Sequence, residues 1–459
     1  MTNMIPKTRA CLLTASRVLT FVLLFCGLTS CRKFLDAKPD QSIATPSTID
    51  DLEGILNGYG TMNARYPSAG EVASDDFYLS PADVNALIES QRSYYLWRKY
   101  ANALADYSSP YQSVEYANVI MESLPKVSGG DMAARNGLMG NALFIRASCH
   151  FALAQLYAKP YNIETANTDP GIALRLTADV ADKPVRFTVA ENYASIIGDL
   201  RKALPLLPGS AAVKYRAGKP AVYGMMARIY LTMRDYRNAY FYADSALAGY
   251  NTLIDYNTLS ASAALPFKQF NEEVIYDART LSASAMTQAR AKVDSTLYSS
   301  YSVSDLRKTV LYRANANSSY AFKGTYTGIT GASLFTGIAT DELFLIKAEC
   351  AARNGDSGTA LELLNKLLVN RWKKGTYIPV TSNDQKQLLG IILSERRKEL
   401  PYRTLRWSDL RRFSFEAERS KTLIRNLSGT MYTLEPNSAR YVFQIDQRAV
   451  DLSGLEQNP

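Results

Sequence analysis

The sequence predicts a mainly α-helical protein in which helical hairpins of the tetratricopeptide type form a scaffold and two irregular, loop-rich segments form a layer on it. Apolar residues recur with the i, i+3, i+4 spacing of amphipathic helices in eight segments, two pairs of these segments match each other, and two long stretches lack a helical period. With 459 residues, 47% of them hydrophobic, the chain is long enough to bury a large core. The eight helical segments are 111–124, 133–158, 189–206, 219–233, 236–248, 341–353, 357–372 and 385–400.

The first 30 residues have the properties of a secretory signal. Residues 1–17 carry basic residues and no acidic residue, and Val18–Leu28 is an apolar run too short to span a bilayer. The run leads into Leu28-Thr29-Ser30-Cys31, which resembles the bacterial lipobox, in which the cysteine is lipidated. We therefore predict a signal peptide at 1–30, a lipidated tether at 31–48 and a stable lipid anchor on Cys31.

A single domain is predicted for 49–459. Thr48, the residue before it, is followed by an acidic residue three positions later, which is the pattern of a helix capping box. Two helical pairs within it share one pattern, in which two alanines lie twelve residues apart and an aspartate falls eight residues after the first. Small residues at a helix crossing, with a turn between the helices, are typical of tetratricopeptide hairpins. The two sets are Ala227, Asp235 and Ala239, then Ala348, Asp356 and Ala360.

Two segments, at about 59–110 and 250–340, interrupt the helical pattern. The second is rich in Ser, Tyr, Asn, Gly and Thr, as in Tyr298–Tyr301 and Ala314–Tyr320. Long segments of this kind are either functional or disordered, and the tyrosines argue against disorder. We predict that both segments are loop-rich insertions on the helical scaffold.

The composition excludes several kinds of chemistry. The chain has one histidine, which rules out sites with several histidine ligands, and His150 lies in an apolar helical run typical of a core residue. Asp75 and Asp76 lack the glycine-rich acidic loop of a calcium site, so we predict a solvated helix cap there. We expect no metal, no cofactor and no catalytic residue.

The charge says little about partners. Removing residues 1–30 takes away three basic residues and lowers the formal charge from +9 to +6. This modest, dispersed charge on an exported chain argues against nucleic-acid binding. Cys149 and Cys350 remain after the signal and Cys31 are set aside, and both lie in apolar helical patterns, so we predict two buried free thiols.

Five segments, in order along the chain, carry a resemblance to a known family. They are Cys31–Asp36 with Pro39, Gly140–Tyr157, Arg186–Leu200, Ser394–Arg412 and Leu455–Pro459. On these motifs the chain resembles the SusD/RagB family, surface lipoproteins that partner SusC-like TonB-dependent transporters in glycan-foraging Gram-negative bacteria. Phe443–Asp446 departs from the Ile-Pro that the family usually has, which affects a local turn.

The strongest of these motifs, Ser394–Arg412, favours a structural role. Glu395 and Glu399 lie four residues apart on a predicted helix beside cations, which favours ion pairing over a glycosidase acid pair. Further along, a stacking and salt-bridge node is predicted to fix the last helix to the scaffold. The structural set is Glu395, Arg396, Arg397, Glu399, Arg406, Trp407, Asp409 and Arg411.

The tyrosines divide into two sets. Sugars present C–H faces and hydroxyl groups, so a glycan site needs flat aromatic rings flanked by polar side chains. Tyrosines at helical spacing (Tyr157, Tyr193, Tyr223, Tyr230, Tyr236 and Tyr242) are predicted to pack in the scaffold, whereas the resemblance implies a site built from loops. The loop candidates are Tyr78, Asn85, Tyr94, Tyr95, Trp97, Tyr107, Tyr298, Tyr301, Tyr312 and Tyr320.

The resemblance implies a non-enzymatic lipoprotein at the outer membrane, exposed on the cell surface. It implies capture of an oligosaccharide or polysaccharide and delivery to a SusC-like transporter. Two alternatives remain: the same architecture binding peptides or another nutrient, and a surface glycosidase that uses carboxylates only.

Overall fold

The computed structural model of the chain describes residues 46–459. The predicted signal peptide, Cys31 and the tether as far as residue 45 lie outside the described residues. Ser47–Pro459 forms one packed unit. None of the helices in the described range is long and apolar enough to span a membrane.

The described chain is mainly helical, as predicted. The Thr48 hydroxyl accepts a hydrogen bond from the Asp51 backbone N–H, and the Asp51 carboxylate accepts one from the Thr48 backbone N–H, which is the predicted capping box. The helices are α1 Ile49–Asn57, α2 Tyr59–Met62, α3 Ala69–Ala73, α4 Pro81–Asn85, α5 Glu89–Tyr95, α6 Leu104–Ser123, α7 Met132–Tyr157, α8 Val189–Ala203, α9 Lys219–Thr232, α10 Tyr236–Gly249, α11 Ser295–Ser299, α12 Arg307–Val310, α13 Thr340–Arg353, α14 Ser357–Leu368, α15 Gln385–Glu399, α16 Arg406–Phe413 and α17 Gln447–Ser453.

The strands are short and form five separate two-stranded antiparallel sheets, in the order β1–β5, β2–β3, β4–β8, β6–β7 and β9–β10. The strands are β1 Phe77–Tyr78, β2 Pro170–Ala173, β3 Arg186–Thr188, β4 Val274–Tyr276, β5 Lys292–Val293, β6 Tyr312–Ala314, β7 Tyr320–Phe322, β8 Ile338–Ala339, β9 Leu423–Leu427 and β10 Thr430–Leu434.

The two predicted hairpins are α9–α10 and α13–α14. All four alanines of the pattern are fully buried where the helices of each pair meet. The two aspartates cap the second helices: Asp235 accepts from the backbone N–H of Asn238, and Asp356 accepts from that of Thr359. Because α10 also packs on α13, the two hairpins form one continuous stack.

The prediction for 59–110 is only partly correct. This stretch contains α2 to α5, and α6 begins at Leu104 and includes Pro110, which the sequence places in a loop. Helices of four to seven residues are too short to show a period, and a proline inside a helix is usually read as its end. The 250–340 stretch contains short strands and single helical turns, in agreement with the loop-rich prediction.

The core positions of the helices agree with the prediction. Cys149 and Cys350 are free and buried. His150 is fully buried against Tyr111, and burial lowers the pKa of its imidazole to about 3. His150 is therefore a neutral packing residue at neutral pH.

Candidate functional site

The two loop-rich segments meet at one short sheet. β1 pairs with β5, which places Tyr78 opposite Lys292. The backbone N–H of Asp294 also donates to the carbonyl of Asp76 over 2.8 Å. The side chain of Asp294 then caps α11 by accepting from the Leu297 backbone N–H. The sequence predicts two loop layers, and the structure joins them here.

A polar cleft opens between β1 and the hairpin β9–β10, which we call the cleft. It has a volume of about 340 Å³. Tyr78 and Ile424 provide apolar surface, with exposed fractions of 45% and 59%. Around them lie groups that donate or accept hydrogen bonds, which is the combination that sugar binding requires. These polar groups belong to Asp75, Asp294, Thr296, Arg397, Lys421, Thr422 and Asn426.

The floor of the cleft is an aromatic box that is already filled. The Arg425 guanidinium lies 3.6 Å from the ring centre of Tyr95 and 4.5 Å from that of Trp97, with Phe77 on a third side. Arg425 also donates to the carbonyls of Tyr95 and Ser74. Burial lowers the pKa of Arg425 to about 10, because its neighbours are rings and carbonyls.

Trp97 and Tyr95 are therefore not a surface for sugars, and the sequence prediction is wrong for them. Both are at most 4% exposed. The indole N–H of Trp97 donates to the carbonyl of Ala73, and the Tyr95 hydroxyl accepts from the backbone N–H of Leu79. Trp97 has φ of 52°, a left-handed conformation that is unfavourable for a residue with a Cβ and is maintained by this packing.

Tyr94 and Tyr107 are also buried, contrary to the prediction. Tyr94 packs on the ring of Phe443 at 4.7 Å between ring centres. Tyr107 packs edge-on against Tyr111 and Tyr157. Both rings are packed against other aromatic rings, and neither lines the cleft.

The tyrosines of the second loop layer form one cluster. Tyr301 and Tyr312 are buried, which corrects their prediction: the Tyr301 hydroxyl donates to the carbonyl of Lys398, 2.7 Å away, and lies 3.0 Å from the Tyr312 hydroxyl. Tyr298 and Tyr320 are half-buried and stacked at an interplanar angle of 16°. They lie outside the cleft, although Thr296, on the same helix as Tyr298, lines it.

Asn85 is exposed at the end of α4, where its carbonyl accepts from Arg92. Neighbouring Asp83 pairs with Lys292 of β5, so α4 is also connected to the sheet that joins the two layers. Of the ten predicted candidates, Tyr78, Asn85, Tyr298 and Tyr320 are accessible to solvent, and Tyr78 lines the cleft.

Asp75 and Asp76 do not form the predicted solvated cap. Asp75 pairs with Arg406 at 2.6 Å and with Lys421, and Asp76 pairs with Arg397 at 3.1 Å. Burial alone raises the pKa of Asp75, but Arg406, Arg397 and Lys421 together hold it well below its usual range. This cluster fixes α15 and α16 against the loop that carries β1.

Glu395 and Glu399 are ion-paired: the neighbouring Lys398 pairs with Glu395 at 2.7 Å, and the other partners come from distant segments. Arg307 contacts Glu395 at 2.6 Å and Glu399 at 2.9 Å, and also pairs with Asp305. Glu399 additionally pairs with Arg371 at 2.7 Å. Because both carboxylates are engaged by guanidinium groups, neither is available as a catalytic acid or base.

The node at α16 differs in one detail from its prediction. Asp409 pairs with Arg396 and Arg412, whereas Arg411 has no acidic partner among the described residues. Arg411 instead donates to the carbonyls of Ala154 and Ala158 at the end of α7, where the helix leaves carbonyls unpaired. Trp407 stacks on Phe443 with an interplanar angle of 19°.

One group of acids has the spacing of a metal site. Oxygen atoms of Glu273, Asp341 and Glu399 lie within 4.8 Å of one another. However, Arg371 pairs with Glu273 and Glu399, and Arg403 pairs with Asp341. The guanidinium groups already supply the positive charge, so this buried cluster does not suit a metal ion.

Comparisons with known proteins agree with this architecture. A family model described as "Starch-binding associating with outer membrane" matches residues 33–231, and a model described as "SusD family" matches residues 259–459. Comparison with curated proteins gave no match.

Solved structures share the fold. A SusD superfamily protein from Bacteroides vulgatus ATCC 8482 is 22% identical, with a TM-score of 0.74 over 90% of this chain and 99% of its own. A SusD-like carbohydrate binding protein from the same organism is 21% identical, with a TM-score of 0.68 over 89% and 97%. A laminarin binding SusD-like protein is 16% identical, with a TM-score of 0.63 over 89% and 97%. On its sequence motifs, its family-model matches and its fold, the chain belongs to the SusD/RagB family.

Proposed function

We propose that this protein is a cell-surface lipoprotein that binds an oligosaccharide or polysaccharide and delivers it to a SusC-like TonB-dependent transporter in the outer membrane. The cleft is the observation that carries the proposal. It combines the exposed ring of Tyr78 and the apolar side chain of Ile424 with a surrounding set of hydrogen-bonding groups. That combination matches the C–H faces and hydroxyl groups of a sugar.

The expected action is capture without hydrolysis. The two acids that line the cleft, Asp75 and Asp294, are both engaged by cations: Asp75 by Arg406 and Lys421, and Asp294 by Arg397 at 3.4 Å. A glycosidase requires one carboxyl group that holds a proton and a second that is free to attack or to activate water. Two neighbouring relatives described as carbohydrate binding and laminarin binding support the same class of ligand.

The lipid anchor and the delivery to a transporter are proposed from the sequence and the family. The lipobox-like segment ending at Cys31 predicts a lipid anchor, which would keep the binding domain at the membrane where a transporter resides. The transporter partner follows from family membership.

Titration of the purified protein with a panel of soluble polysaccharides tests the binding proposal. We expect micromolar binding to at least one glycan, with no new reducing ends after prolonged incubation. Binding to peptides alone would favour the peptide-capture alternative. Hydrolysis that is lost when one acid is replaced would establish the glycosidase alternative instead.

Replacement of Cys31 tests the anchor. Cys31→Ala should release the protein from the membrane fraction, and a Ser30→Ala control, which keeps the cysteine, should leave it there. Retention of the Cys31→Ala protein in cells without the transporter gene would contradict a lipid anchor.

A further inference from the structure

The cleft continues into a second depression, which we call the basic groove. Its volume is about 430 Å³, and it shares Thr296, Arg397 and Lys421 with the cleft. The two depressions therefore form one continuous surface between α11, α15, α16 and the segment leading to β9. A ligand longer than one sugar residue can occupy both.

The basic groove is lined by more basic than acidic side chains. Five basic side chains line it, and Glu418 is its only acidic lining residue within the described chain. Glu418 is itself engaged from outside by Lys386, at 2.5 Å. The basic residues are Arg397, Lys398, Arg406, Arg419 and Lys421.

Acids behind the groove hold these cations in place. Arg406 pairs with the Asp75 carboxylate through Nε and Nη2. Arg397 donates from Nε to the Asp76 carboxylate and from Nη2 to the Asp75 backbone carbonyl, and Arg419 donates from Nε to Glu416. Within residues 46–459, the Nη1 atoms of Arg397 and Arg406 and both Nη atoms of Arg419 make no hydrogen bond, and none of them is a buried atom. Pre-oriented guanidinium groups with free donors are suited to carboxylate or sulfate oxygens.

Lys421 is the most exposed of the five, with a side-chain exposure of 44%. It pairs with Asp75, which also pairs with Arg406 and Arg397. Partial burial, together with the neighbouring Arg406 and Arg397, lowers the pKa of Lys421 even though Asp75 raises it. Two further carboxylates pair with Arg397. An anionic ligand group would therefore be bound here by the exposed ammonium group of Lys421 and by the guanidinium donors that have no partner among the described residues.

We infer that the cleft and the basic groove together bind an acidic glycan, with a sugar ring against Tyr78 and Ile424 and a carboxylate or sulfate group at Lys421, Arg397 and Arg419. This inference rests on the proposed function, because it names the class of sugar that the same site takes. The shared chemistry is an anionic sugar, and the choice between uronate and sulfate is left to the ligands of the experiment.

The experiment uses pairs of ligands that differ at the acidic group. The protein is titrated with oligogalacturonate and its methyl-esterified form, with alginate and its carboxyl-reduced form, and with chondroitin sulfate and desulfated chondroitin, which loses the sulfate and keeps the uronate. We expect at least one of the more acidic ligands to bind about tenfold more tightly than its less acidic form, and this preference to shrink as salt rises from about 0.05 to 0.5 M.

A double variant, Arg419→Gln with Lys421→Gln, should reduce the preference for the acidic form to about twofold or less. It should fold, because Glu416 keeps Arg353 and Asp75 keeps Arg406 as partners. Lys202→Gln with Arg237→Gln, two exposed basic residues on α8 and α10 that do not line the cleft or the groove, is the charge-matched control and should keep the preference. A melting temperature close to that of the parent confirms folding.

The outcomes separate the two proposals. Binding of neutral glycans with no preference for acidic ones, or a preference that survives in the double variant, overturns the acidic-glycan inference and leaves glycan capture intact. If the parent protein binds none of the acidic or neutral polysaccharides, the proposed function itself fails, and the inference fails with it.

Discussion

The helical scaffold and the basic groove use arginines of one motif in different ways. In the scaffold, Arg396 and Arg412 of the Ser394–Arg412 motif are buried and neutralised by acids of neighbouring helices. In the basic groove, Arg397 and Arg406 of the same motif keep one side paired with an acid and have an Nη1 donor without a hydrogen-bond partner among the described residues. The motif that identifies the family therefore maintains the fold and also supplies part of the surface that we propose meets the ligand.

The largest effect should come from breaking the scaffold network. Arg307→Ala leaves Asp305 and Glu399 buried without their main partner, so the free energy of unfolding should fall by about 3–5 kcal/mol. Urea-induced unfolding measures this change in the free energy of unfolding. Arg313→Ala, an exposed arginine in the same region, should change stability by less than about 0.5 kcal/mol. A loss below about 1 kcal/mol for Arg307→Ala would contradict the role of the network.

The next-largest effect should come from Trp97, whose ring is a ligand-binding candidate in the sequence and is buried in the structure. Trp97→Ala should lower the free energy of unfolding by about 3 kcal/mol, because it leaves a cavity beside Arg425. Its folded fraction should bind glycan within about threefold of the parent. A stable variant that has lost glycan binding would restore Trp97 to the ligand site.

The third prediction concerns His150, which is buried in the scaffold and should make the free energy of unfolding depend on pH. The unfolded chain protonates His150 near its usual pKa of 6.5, whereas the folded chain does so only near 3. Between these values the unfolded state binds more protons, so stability falls as pH falls, by at most about 1.4 kcal/mol per unit. Between pH 7.5 and 5.5 the parent should lose about 1–1.5 kcal/mol more than His150→Gln. Equal losses in the two proteins would show that His150 does not titrate in this way.

The smallest change in stability should accompany the clearest change in binding. Tyr78→Ala removes a ring that is 45% exposed, so unfolding should change by less than about 0.5 kcal/mol. Glycan affinity measured by titration should drop about fivefold to tenfold, through loss of stacking. Phe241→Ala, an exposed aromatic residue on α10 far along the chain from the cleft segments, is the matched control and should bind as the parent does. Unchanged affinity in Tyr78→Ala would place the sugar elsewhere.

Most of the fold could be predicted from the sequence because each amphipathic helix has apolar residues at a regular spacing, which a short stretch of sequence is enough to show. The predicted 133–158 helix is observed at Met132–Tyr157, and the predicted 385–400 helix at Gln385–Glu399. The alanine and aspartate pattern identified both hairpins, because a helix crossing and an N-cap each require a particular kind of residue at a fixed spacing. The hairpin β9–β10 was missed, although Ser428-Gly429 between two apolar runs is a turn signal.

The cleft could be predicted only in part, since its assembly depends on long-range contacts. Tyr95 and Trp97 have the composition of a sugar platform, and nothing near them in sequence shows that Arg425, more than 300 residues away, fills the space between them. The pairs of Glu395 with Arg307 and of Asp76 with Arg397 are likewise formed between residues distant in sequence. A period reveals which face of a helix is buried, but loop residues have no period, so the burial of their aromatic rings could not be read.

Trp97, in the aromatic box around Arg425, could serve as an intrinsic fluorescence probe of the cleft. The chain has three tryptophans, and Trp97 is the one that lines the cleft and contacts the hairpin. With Trp372 and Trp407 replaced by phenylalanine, the emission of the protein would come from an indole ring with a guanidinium 4.5 Å from its centre. Any displacement of β9–β10 by an incoming ligand would change the field at that ring, so arrival of a glycan could be followed in real time without a label.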